Sequence, residues 1–225
     1  MPTFSLAIFD YDGTLADSFP WFCSVLNQAA RQFGFREVAE GEAEELRGLE
    51  SREIMARLGV PLWKLPAIAR HARRLKAEAA AEIALFPGVE AMLRTLAESS
   101  VQLALVTSDS EANAREKLGE AAALFSHFDC AASLFGKPSK FRRVMRRAGV
   151  APGKVIAIGD EVRDIEAARA VGIACGAVGW GYAAPAALRA LAPDHMFEQM
   201  DEIVWTLCPG AVARMSEAIS GNAGG

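Results

Sequence analysis

Short runs that are apolar on both faces alternate along this chain with stretches in which apolar residues recur every three or four positions. The first run is Phe4 to Phe9, the second Val101 to Val106 and the third Val155 to Ile158; Cys130 to Leu134 and Cys175 to Val178 are two weaker ones. Runs of this kind suit the strands of a parallel sheet covered by helices on both faces. Helical spacing occupies roughly Val89 to Glu98, Ala112 to Leu118, Lys140 to Ala148 and Val162 to Val171. Strand and helix in alternation predict an α/β fold with an open, doubly wound, Rossmann-like parallel sheet.

One stretch breaks the alternation. From Asp17 to about Leu85 the pattern is helical throughout, over Trp21 to Phe33, Glu42 to Leu58 and Trp63 to Ala81. A connection that long is not a loop. It predicts a helical module inserted after the first strand, with Phe86-Pro87-Gly88-Val89 marking the return. The expected organisation is a discontinuous α/β core, residues 1–16 and 86–225, and a helical insert, residues 17–85. The Gly-rich tail from Ser220 to Gly225 is expected to be disordered.

Composition adds exclusions. At 52% hydrophobic and 23% charged, the 225 residues read as an ordinary soluble globular protein. A net charge of −4 argues against a nucleic-acid partner, and the basic stretch Arg70 to Lys76 reads as a solvated helix face. No run is long enough to span a bilayer, and the N-terminus lacks the features of a secretion signal. Cys23, Cys130, Cys175 and Cys208 are far apart and form no CxxC pair, which points to packed thiols in a reducing cytoplasm.

The chemistry gathers where strands end, the edge at which α/β sheets bind ligands. Phe9-Asp10-Tyr11-Asp12-Gly13-Thr14-Leu15 closes the first strand. Alternate side chains of an extended chain share a face, so Asp10 and Asp12 can point the same way, and two close carboxylates call for a cation or a proton between them. The third strong run ends in Gly159-Asp160-Glu161-Val162-Arg163-Asp164, with Asp160 and Asp164 one helical turn apart. Alone this is an acidic helix start; beside the first motif it completes a cluster of oxygen ligands suited to Mg²⁺. Thr107 and Ser108 close the second strand, where a hydroxyl and free amides at a helix start can hold phosphate or simply cap the helix. Lys137 stands in a Gly-Lys-Pro turn, and a fixed cation would offset repulsion between an anionic nucleophile and an anionic substrate.

With these four motifs the chain resembles the haloacid dehalogenase-like hydrolase superfamily, in its phosphoglycolate phosphatase-like branch with a helical cap. The resemblance covers nearly the whole chain. It implies that Asp10 is the nucleophile and Asp12 the general acid/base, that Thr107 and Ser108 bind phosphate and that Lys137 holds it. It also implies that Asp160 ligates Mg²⁺ with the Asp10 carboxylate and the Asp12 main-chain carbonyl, and that Asp164 supports the metal from behind. Two departures stand out. Lys137-Pro138-Ser139-Lys140 lacks the second Pro of a Lys-Pro-x-Pro segment, which leaves Lys140 as an alternative to Lys137, and Glu161 replaces a small polar residue.

The implied activity is Mg²⁺-dependent hydrolysis of a small phosphorylated metabolite in the cytoplasm, with no nucleic-acid or membrane partner. A dehalogenase lacks the second acid that Asp12 supplies. A mutase of the β-phosphoglucomutase type carries a cap His about where Phe22 stands here, although Arg52 matches its cap Arg. A non-catalytic phospho-ligand binder has no need of Asp12. The substrate, the oligomeric state and the role of Glu161 are not written in the motifs. Phe19, Trp21, Arg47, Arg52 and Trp180 are the candidates for substrate choice.

Overall fold

The computed structural model describes residues 2–39, 41–47, 49, 51–78, 83–130 and 136–210. Among these, six parallel strands form one sheet in the order β3-β2-β1-β4-β5-β6: β1 (Leu6–Phe9), β2 (Gln102–Val106), β3 (Phe125–Asp129), β4 (Val155–Gly159), β5 (Ala174–Val178) and β6 (His195–Phe197). The chain builds outward from β1 through β2 to β3, then returns to add β4, β5 and β6 on the other side. The order therefore reverses between β1 and β4, and the crevice beyond their carboxyl ends is the natural binding place.

Successive residues of each strand feed opposite faces. Ala7, Phe9, Leu103, Leu105, Ile156 and Ile158 pack with α5 (Val89–Glu98) and α10 (Met200–Leu207). Leu6, Ile8, Ala104, Val106, Val155 and Ala157 pack with α7 (Lys137–Ala148), α8 (Val162–Val171) and α9 (Pro185–Ala190). Both faces are thus buried, which is why these strands read as unbroken apolar runs. At one end of the sheet, β3 runs Phe125, Ser126, His127, Phe128, Asp129 and is only partly buried. Of the weaker expected strand Cys130 to Leu134, Cys130 lies just past β3, and the remaining residues lie outside the described ones. The three-residue β6 carried no pattern long enough to detect.

Between β1 and α5 lie the helices α1 (Phe19–Phe33), α2 (Glu42–Arg47), α3 (Ser51–Arg57) and α4 (Leu65–Glu78). The single helical span expected over Glu42 to Leu58 is two helices. Pro20 sits in the first turn of α1, where its missing N–H costs nothing. The insertion has its own apolar cluster of Val38, Leu46 and Leu58, packed with Leu26, Phe35 and Ile54. Its two crossings to the core run side by side: Asp17 donates its N–H to the Ala84 carbonyl and Phe86 to that of Leu15, each at 2.9 Å. Ala16 and Leu85 form an antiparallel bridge there. None of the described helices is long and apolar enough to cross a membrane.

Candidate active site

Register alone brings the motifs together. Phe9 pairs with Leu105 on one side and Ile158 on the other, so the segments after β1, β2 and β4 leave the sheet at one level. The Asp10 N–H donates to the Ile158 carbonyl at 2.9 Å, which pins the residue just past the strand. Asp10, Asp160 and Asp164 are buried, and one carboxylate oxygen from each lies within 4.8 Å of the others.

Asp160 is held at both oxygens. Thr14 Oγ1 donates to Oδ1 at 2.7 Å, and the Tyr182 N–H donates to Oδ2 at 2.8 Å. The backbone must come close for this. Gly13, at φ +74°, and Gly181 both abut the carboxylate, and a Cβ on either would overlap it. Asp164 is the third residue of α8 and accepts the Glu161 N–H at its Oδ2, 3.0 Å away. The helix start is therefore capped by Glu161 and Asp164, which leaves Asp160 out of the cap.

Lys137 is the first residue of α7, fixed there by Pro138 in the first turn. A cation at a helix N-terminus opposes the helix dipole. Here it is offset by acids: Lys137 Nζ lies 2.8 Å from Asp10 Oδ2 and also bonds Asp164 Oδ1. Lys140 takes another place. It is buried beneath the strand ends, donating to the Asp129 carbonyl at 2.6 Å and the Thr107 carbonyl at 3.2 Å, and it pairs with the Asp129 carboxylate, which Arg143 also holds. Both partners are held below their ordinary values, for different reasons. Burial pushes the Lys140 ammonium below its ordinary value. Burial would raise the Asp129 carboxyl, but Arg143 and Lys140 together hold it low. We attribute the persistence of this pair to the two cations on Asp129. Helix α7 begins three residues before the expected start, so Lys137 projects into the crevice and Lys140 falls one turn inside.

Electrostatics separate the acids. Burial would raise the Asp10 carboxyl, but Lys137 and then Arg163 outweigh it and hold it below the usual range. Asp160 is driven well above that range by burial, then by Glu161, Asp10 and Asp164. Glu161 is raised by burial in spite of its ion pair with Arg163. Such mutual repulsion in a buried crevice is what a divalent cation relieves, and an all-oxygen donor set suits Mg²⁺.

Thr107 is buried at the end of β2, where its Oγ1 accepts the Asp109 N–H at 3.0 Å. Ser108 is exposed in the following bend, and the N-cap of α6 (Glu111–Leu118) is Ser110. Asp12 sits past β1 near Tyr182, whose phenol is kept neutral far above its ordinary range first by burial and then by the Asp12 charge. Of the candidates for substrate choice, the Phe19 ring meets Tyr182, Trp21 packs partly buried against the core, and Trp180 donates its Nε1–H to the Thr14 carbonyl at 3.1 Å. Arg52 is exposed on α3, and the Arg47 side chain lies outside what is described.

Sequence reasoning missed Arg163 and Tyr182. Arg163 had a signal: a cation set between acids inside Gly-Asp-x-x-x-Asp. Tyr182 had none, because its partners Ser18 and Asp160 are 164 and 22 residues away.

Fold and site together define a doubly wound α/β enzyme with an acid cluster and a fixed lysine at the switch point and a helical insertion after the first strand. A family model described as haloacid dehalogenase-like hydrolase matches residues 7–178. The chain is similar to a phosphoglycolate phosphatase of Synechococcus elongatus, 33% identical over 199 residues, 88% of this chain and 94% of that protein. It is also similar to the tyrosine-protein kinase PtkA of Mycobacterium bovis, 30% identical over 184 residues, 79% of this chain and 62% of the relative. A solved haloacid dehalogenase-like hydrolase from Streptococcus pneumoniae superposes with a TM-score of 0.70 at 23% identity, over 90% of this chain and 97% of that one, a likeness of fold. The chain belongs to the haloacid dehalogenase-like hydrolase family, in its phosphoglycolate phosphatase-like branch, and is an enzyme of the phosphatase class.

Proposed function

We propose that this enzyme hydrolyses a small phosphomonoester, phosphoglycolate-like or a sugar phosphate, with Mg²⁺ and through an aspartyl-phosphate on Asp10. The observation that carries the reading is the buried Asp10 at the end of β1, with Lys137 Nζ at 2.8 Å holding its carboxyl below the usual range. An oxygen of Asp10 attacks phosphorus in line as the bond to the alcohol oxygen breaks, and Asp12 gives that oxygen its proton. Asp12, now a carboxylate, takes a proton from water; the water oxygen attacks phosphorus, and the Asp10 carboxylate leaves. Lys137 and the amides after Thr107 balance the equatorial charge throughout. Mg²⁺ would be held by the Asp10 and Asp160 carboxylates and the Asp12 main-chain carbonyl, with Asp164 beside them, and would neutralise phosphoryl charge.

In this reading residues 17–85 form a cap over the core of residues 1–16 and 86–225, hinged at the paired crossings near Ala16 and Leu85. The name of the Synechococcus elongatus relative supports a phosphoglycolate-like substrate. Two features favour hydrolysis over a mutase or a mere binder: Phe22, at about the position of the mutase's cap His, packs on Tyr182 instead, and the chain carries Asp12, which a binder does not need.

Phosphate release from p-nitrophenyl phosphate tests the reading. Activity is expected with Mg²⁺, to vanish in excess EDTA and to return when Mg²⁺ is restored. Ca²⁺ restores it poorly, because its larger and looser coordination misplaces the in-line attack. Full turnover in EDTA would contradict the metal requirement. Arg52→Ala is expected to raise KM for phosphoglycolate more than for p-nitrophenyl phosphate, which has no carboxylate for the guanidinium to meet. Equal shifts would limit Arg52 to holding the cap together.

A further inference from the structure

Tyr182 is bonded to two parts of the molecule at once. On the loop after β5, its main-chain N–H donates to Asp160 Oδ2 at 2.8 Å. Its phenol oxygen lies 3.0 Å from Ser18 Oγ, and Ser18 is the buried residue that precedes α1. The ring meets Phe19 edge-on, with centroids 5.2 Å apart and planes at 85°, and Phe22 at 5.4 Å and 64°. It also lies so close to Gly13 that a Cβ there would strike it. A single residue therefore holds the acid cluster with its backbone and the first turn of the insertion with its side chain. The neighbouring Trp180 makes a parallel link, from its indole N–H to the Thr14 carbonyl and from Thr14 Oγ1 to Asp160 Oδ1.

We propose that Tyr182 is a positioning residue that couples the seating of the helical insertion to the placement of Asp160. When α1 packs on the ring and Ser18 meets the phenol, the Tyr182 backbone is set and its amide fixes Asp160 Oδ2. When α1 lifts, the ring loses both the hydroxyl partner and the Phe19 and Phe22 edges, and the amide is released with it. What Asp160 then does in turnover rests on the phosphatase reading above; the coupling itself does not.

The test uses the full chain with Tyr182→Phe, Ser18→Ala, the double variant and Tyr182→Ala. Two quantities are measured: hydrogen exchange at the Asp17, Phe22 and Tyr182 amides, and kcat and KM on p-nitrophenyl phosphate. A half-buried hydroxyl hydrogen bond gives a loss of about five-fold when either partner is removed. Ser18→Ala is expected to speed exchange at the Tyr182 amide by about five-fold, although Ser18 does not touch that amide. Tyr182→Phe and Ser18→Ala should each lower kcat/KM by about five-fold, and the double variant no further, since both remove one bond. Tyr182→Ala, which also removes the ring contacts, should cost at least ten-fold. Unchanged exchange at Tyr182 in Ser18→Ala, or losses that add in the double variant, would overturn the proposal; Tyr182→Phe keeps the ring, so a folding failure does not shield it. If the wild type released no phosphate yet Ser18→Ala still speeded the Tyr182 amide, the coupling would stand and the phosphatase reading would fall.

Discussion

Asp10→Asn is expected to lower phosphate release by about 10⁴-fold or more, the scale seen when an enzyme loses its nucleophile. The amide is nearly the same size as the carboxylate but carries no charge to attack phosphorus. The environment makes the loss severe. Asp10 is buried, and Lys137 and Arg163 hold its carboxyl below the usual range against the cost of burial, which favours the charged form that attacks. The substitution leaves the sheet intact, because the Asp10 backbone bond to Ile158 and the pairing of β1 with β2 and β4 do not use the side chain. Lys137 also keeps Asp164 as a partner. Circular dichroism should therefore match the wild type. Turnover within ten-fold of the wild type in the purified variant would end the covalent mechanism.

Lys137→Ala is expected to lower kcat by about 10²- to 10³-fold, the usual cost of removing one fixed charge from a site that stabilises developing charge. It strips the crevice of its nearest cation and leaves Asp10, Asp160 and Asp164 facing one another. Lys140→Ala should do the opposite. Its ammonium ties the Thr107 and Asp129 carbonyls beneath the strand ends, away from the crevice. Removing one partner of a buried pair costs about 3 kcal/mol, moderated here because Arg143 still holds Asp129. The melting temperature should fall while kcat changes by less than about five-fold. Turnover and thermal melts on both variants check this pair, and a reversal between them would mean that Lys140, not Lys137, serves the phosphate.

How much of this was legible before folding differs by element. The strands β1, β2, β4 and β5 lie within the sheet, buried on both sides, and so wrote uninterrupted apolar runs into the chain. The helices α5 and α8 match their expected spans because Gly88 and Gly172 bracket amphipathic patterns. By contrast β3, with Ser126, His127 and Asp129 inside it, is half exposed at the sheet edge and had no such run. The start of α7 was misjudged because Lys137 and Pro138 carry no apolar periodicity, although Pro is favoured in a first helical turn.

The sequence by itself determined the fold class, the place of the helical insertion, the two acidic strand ends and the hydroxyl-bearing one, since each depends on order along the chain and on local pattern. The tertiary structure alone decided which lysine enters the crevice, because one helical turn separates projection from burial and that turn is set by where α7 docks. It alone placed Arg163 beside Asp10 and set Tyr182 between Ser18 and Asp160. Those contacts join residues far apart in the chain, and only the packing of loops onto a shared sheet edge can bring them within bonding distance.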